Sequence, residues 1–115
     1  MSGKRLHTVV ETSEFQRRAK GNLSAGELND FVNYIAANPA AGEVMAETGG
    51  ARKVRWAVGG RGKSGGVRVI TFYTGADIPV FLLNVFGKGE KTNLSKAERN
   101  DMRKGLKILV ANYRT

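Results

Sequence analysis

Three strand-like runs crowd into residues 52–86, and they constrain the fold more than anything else in the chain. In "RKVRWAV", Val54, Trp56 and Val58 alternate with Lys53, Arg55 and Ala57. A repeat of two puts the first set on a buried sheet face and the second on a cationic one. "VRVITFYT" and "VFLLNVF" follow as nearly continuous β-branched and aromatic runs, the pattern of central strands. Their connections, "GGRGKSGG" at 59–66 and "GADIP" at 75–79, are short and rich in turn residues, which suits antiparallel returns. Pro79 falls at a strand start, where its missing N–H is tolerated.

Helices are expected on either side of this block. "LHTVVE", residues 6–11, reads as a strand, and "SEFQRRAK", residues 13–20, as a short helix capped by Ser13. "SAGE" at 24–27 and "SKAE" at 95–98 are capping boxes, in which the serine hydroxyl and the glutamate each satisfy an orphan N–H. Beyond the first box, Leu28, Phe31, Val32 and Ile35 form one apolar helical stripe, and Pro39 ends it. Beyond the second, Met102, Leu106, Leu109 and Tyr113 form another. The order β-α-α-β-β-β-α predicts one α+β domain over residues 1–115: a small, mainly antiparallel sheet with helices packed on one face.

Composition narrows the chemistry. With no cysteine and the single histidine His7, thiolate catalysis is excluded and a histidine-based zinc site is not expected. No metal or other cofactor is expected. No apolar run approaches the roughly 20 residues that span a bilayer, and "MSGKRLHTVV" does not read as a signal peptide. The expected location is the cytoplasm, without a membrane partner. Nineteen Lys+Arg against ten Asp+Glu leave +9, which suggests a polyanionic partner.

The placing of that charge says more than its amount. "GGARKVRWAVGGRGKSGGVRVITFY", residues 49–73, carries Arg52, Lys53, Arg55, Arg61, Lys63 and Arg68 and no acidic residue. A basic sheet face rimmed by a cationic loop suits a phosphodiester backbone. The side taken by Arg68 depends on whether its strand pairing contains a bulge. A second cluster, Lys88, Glu90 and Lys91 in "VFGKGEKTNLSKAERN", stands where the last strand ends, a common place for a site. Trp56 is expected to pack in the core, and His7 to be a spectator.

These stretches resemble the RelE-like toxins of bacterial type II toxin–antitoxin modules, in particular the HigB-type branch. The motifs are G-G-x-R-K-x-R, closing on G-G-x-R-x-I-x-F-Y, and F-G-K-x-E-K-x-x-L, and the likeness covers nearly the whole chain. It implies an mRNA endoribonuclease that acts in the ribosomal A site, neutralised by a small antitoxin, in this branch usually a helix-turn-helix protein. Operator DNA would be reached only through that antitoxin.

Such an enzyme must take a proton from the 2′-oxygen, stabilise a charged phosphorane and protonate the leaving 5′-oxygen. Without paired histidines, the titratable candidates are Glu90 and lysines, whose charged form is disfavoured where cations crowd. Arginine, always charged, suits the phosphorane. Position by position, the resemblance assigns phosphate and transition-state binding to Arg68, proton transfer to Lys53 and charge stabilisation to Arg55. Lys88 or Glu90 would complete the acid/base pair, with Arg52, Arg61, Lys63 and Lys91 contacting RNA. The tyrosine that the best-known members carry just after the last strand has no counterpart in "KTNLSK". Two other classes compete: a gyrase-blocking protein like the related ParE toxins, and a non-catalytic nucleic-acid-binding module.

Overall fold

The computed structural model describes residues 6–59, 66–87, 89–90 and 93–114. Along the chain run β1 (Val9–Glu11), α1 (Ser13–Ala19), α2 (Ala25–Ala37), β2 (Glu43–Val44), β3 (Ala51–Trp56), β4 (Val67–Phe72), β5 (Val80–Phe86) and α3 (Lys96–Arg114). The expected α+β order is present, with one addition: the two-residue strand β2. The five strands form a single sheet in the order β1-β5-β4-β3-β2. β1 runs parallel to β5, and the other neighbours are antiparallel.

Both capping boxes form. Ser24 Oγ accepts from Glu27 N at 3.1 Å, and Glu27 Oε1 accepts from Ser24 N at 2.8 Å. Ser95 and Glu98 repeat the exchange at 3.1 and 2.7 Å. The cap of α1 is Thr12 rather than Ser13. Its hydroxyl accepts from Phe15 N and donates to Leu82 O at 2.8 Å, fastening the helix start to β5.

The strand alternation sorts the core into two layers. Val54, Val67, Val69, Val80, Leu82 and Val85 pack with Phe15 of α1, Phe31 and Ile35 of α2, and Leu23 between the two helices. Trp56, half-buried, packs against this layer, edge-on to Phe31 with ring centroids 5.1 Å apart, on the side its alternation implies. Ala51, Ile70, Phe72 and Phe81, of opposite parity, pack with Leu106 and with the flanks of Met102, Leu109 and Val110. The one-face arrangement thus holds for α1 and α2 but not for α3, which lies across the other face. The reason is legible in the strands: Ile70, Phe72 and Phe81 would otherwise be bare, and large apolar surface is driven under cover. Arginines complete the docking. Arg99 Nη1 donates to Ala46 O, Arg103 Nη1 to Glu47 O at 3.3 Å, and Arg114 Nε to Asp77 Oδ2 at 2.8 Å.

Close approach explains one glycine. A Cβ at Gly66, just before β4, would stand 1.9 Å from Trp56 O, so no other residue fits there without moving the end of β3.

Candidate active site

The ladder between β3 and β4 is regular, from Ala51 opposite Phe72 to Trp56 opposite Val67. Arg55 therefore faces Arg68, and Lys53 lies two residues along on the same side as Arg55. Facing Cβ atoms of a strand pair are about 5 Å apart, and two residues of strand span about 7 Å. The irregularity lies on the other side of β4. Ile70 faces Asn84 and Thr71 faces Leu82, so Leu83 is an extra residue in β5. Arg68 also faces Phe86, the last residue of β5.

Lys53, Arg55 and Arg68 share the parity of Ala51, Ile70 and Phe72, and hence the face that carries α3. The helix packs on Ala51, Ile70, Phe72 and Phe81, toward the end of the sheet where β3 begins and β4 ends. Lys53 faces Ile70 at the edge of this contact and is half-buried, while Arg55, exposed, and Arg68, half-buried, lie beyond it. Among the described residues their site is an open face. A hollow of about 430 Å³, lined by Ala19, Leu23 and Leu28 among others, lies on the α1–α2 side and holds none of these groups.

Ion pairs among the described residues join Arg17 to Glu14, Arg18 to Glu90 and Arg114 to Asp77, and neither Lys53 nor Arg55 is in one. The strand ladder does set one carboxylate nearby: Glu43 of β2 faces Lys53. It forms no ion pair among the described residues, but it borders the cations and went unnoticed in the sequence, where ten residues separate the two.

The remaining expected residues divide. Arg52 has the parity of Val54 and so points to the α1–α2 side. Its Nη1 donates to Gly42 O at 3.3 Å, and its Nε is buried without a partner among the described residues. It does not join the cluster, because adjacent strand residues face opposite ways. Arg61, Lys63, Lys88 and Lys91 lie outside the described residues. His7 packs edge-on to Tyr73, with ring centroids 5.3 Å apart.

Glu90 stands in an unexpected setting. Its Oε1 accepts from Gly87 N at 2.7 Å, and its Oε2 pairs with Arg18 Nη2 at 2.6 Å. The Gly87 N–H first, and then Arg18, hold its carboxyl below the usual carboxylate range. Kept ionised, it has no proton to donate at neutral pH. Arg18 also donates from Nε to Val85 O at 3.1 Å, and its guanidinium lies over the Phe86 ring, 5.5 Å from the centroid.

A second long-range carboxylate holds the start of the glycine-rich loop. Glu27, besides capping α2, accepts from Gly59 N at 2.7 Å through Oε2. The N–H of Ser24, and after it that of Gly59, hold the Glu27 carboxyl below its usual range. Neither the Glu27 nor the Arg18 contact had a local signal, since the partners are 32 and 72 residues apart.

A family model described as the RelE toxin of the RelE/RelB toxin–antitoxin system matches residues 7–114. The match takes in the sheet, all three helices and every cation of the open face. The chain belongs to this family of toxins.

Proposed function

We propose that this RelE-family toxin is a ribosome-dependent mRNA endoribonuclease of the HigB type, and that Lys53, Arg55 and Arg68 form the centre of its active face. The observation that carries the reading is the facing pair Arg55 and Arg68 with Lys53 beside it on one sheet face, the pair beyond the α3 contact and Lys53 at its edge. Like charges directly opposite in a sheet are destabilising. A constellation of that kind is explained by an anion that takes its place between the side chains.

The chemistry that suits these groups uses the RNA's own nucleophile. The 2′-oxygen attacks the adjacent phosphorus, the bond to the 5′-oxygen breaks, and a 2′,3′-cyclic phosphate and a 5′-hydroxyl end are left. Arg68, braced between β3 and β5, binds the phosphate, and with Arg55 it forms a forked-donor pair for the phosphorane's extra charge. Lys53, the titratable member of the three, would move a proton. Docking on the ribosome would supply the alignment of the 2′-oxygen, a term worth several orders of magnitude. A cognate antitoxin, for which a small helix-turn-helix protein is our expectation, would block this face or the approach to the ribosome.

Brief expression in a bacterium with 5′-end mapping tests the reading. In-frame cuts in translated messages only, abolished by Arg68→Ala, are expected. Intact messages with double-strand breaks in DNA would replace it with gyrase poisoning. Salt-sensitive RNA binding without cleavage would reduce it to a binding module.

A further inference from the structure

Arg18 gathers three partners at the end of β5. It donates to Val85 O, lies over Phe86 and pairs with Glu90, which in turn accepts from Gly87 N. Asn22 Nδ2 donates back to Arg18 O at 2.9 Å, so the helix end that carries Arg18 is itself fastened. A side chain at Gly87 would meet Asn22 Oδ1 at 2.3 Å and Glu90 Oε1 at 3.3 Å, so the strand end, the carboxylate and α1 are closely fitted. These contacts sit at Phe86, the residue that faces Arg68 across the ladder. Strand ends fray, since their last pair has a neighbour on one side only. Here that last pair includes the side chain that the proposed reaction relies on most.

We infer that Arg18 and Glu90 form a latch that holds the end of β5 against α1 and thereby positions Arg68, with Glu90 acting as an anchoring anion and not as a proton-transfer group. The latch is indirect: Arg18 and Glu90 touch the strand that pairs with Arg68, not the substrate. The catalytic readout rests on the nuclease reading, whereas the positional one does not.

Two measurements decide it. The first is amide hydrogen exchange by NMR on Arg18→Ala and Glu90→Gln, the milder change that keeps the fold accessible. Exchange is expected to quicken by about tenfold or more at Gly87 and over residues 67–69 and 85–86, with Val54 and Leu106 unchanged, as in local opening. Unaltered protection at the β4–β5 end overturns the latch. The second is single-turnover cleavage on programmed ribosomes. Arg18→Ala and Glu90→Ala are each expected to slow cleavage by about tenfold or more, with the half-saturating ribosome concentration unmoved. The double variant should be no slower than the slower single one, because the pair acts as a unit. Glu90→Gln should keep the shape of the pH–rate profile. Multiplying losses in the double variant overturn the latch, and a limb of the profile lost with Glu90 overturns it by making Glu90 a proton-transfer group. A wild-type chain that cuts no message sinks the nuclease reading, and the exchange data then judge the latch alone.

Discussion

Removing the charge of Arg55 should stabilise the protein while disabling it. Arg55 faces Arg68, so Arg55→Gln deletes a like-charge pair and keeps the length of the side chain. At the about 5 Å between facing Cβ atoms, two unit charges in water repel by about 0.8 kcal/mol. Lys53, about 7 Å along the strand, adds repulsion. Glu43, diagonal to Arg55 at about 7–8 Å, removes nearly the same amount. A Debye length of about 8 Å at physiological salt cuts the Arg68 contribution to about 0.4 kcal/mol. Splayed side-chain tips would lower it further. With an unfolding entropy of about 2.1 cal/mol/K per residue, Tm rises by about 2 °C at 0.15 M salt. The rise grows to about 3 °C at 0.01 M and falls below about 1 °C at 1 M. Thermal unfolding followed by circular dichroism across those salts reads this directly, and message cleavage by the same variant should be lost. A fall in Tm, or a rise that ignores salt, would refute the idea that the two arginines strain against each other in the unbound protein.

Three further outcomes are expected. Stability should be full at neutral pH and fall in acid. Glu27, Asp77 and Glu90 all sit below their usual range, so the unfolded chain binds their protons first. Their contribution is present above the ordinary carboxylate range of about 4 and lost as pH falls through the depressed values, which urea midpoints between pH 7 and 3 would show. Ser24→Ala removes the cap of α2 and should cost about 1 kcal/mol, read by denaturant unfolding. Thr71→Val should be neutral or stabilising by about 1 kcal/mol, since the Thr71 hydroxyl is buried without a partner among the described residues. A clear loss on equilibrium unfolding would contradict that.

Local patterns carried most of the architecture. The two capping boxes, the stripe from Leu28 to Ile35 and the alternation around Trp56 depend on contacts within a few residues, and each appears in the fold as the spacing implies. Element limits moved slightly, with Thr12 capping α1 and β1 shortened to Val9–Glu11. The same alternation puts Lys53 and Arg55 together and sets Arg52 apart, on the face of Val54.

Chain order alone determined which segments became strands and helices, the short β2 apart, and the sign and crowding of the charge they carry. It left open which face α3 would cover, because that choice is made by the apolar residues of three strands acting together. Whether Arg68 would stand beside Arg55 awaited the pairing register, and only a ladder without a bulge between β3 and β4 brings them face to face. The grip of Arg18 on Glu90 and of Glu27 on Gly59 belongs wholly to the tertiary structure. A hydrogen bond between residues far apart in sequence depends on where the packed core delivers its two ends.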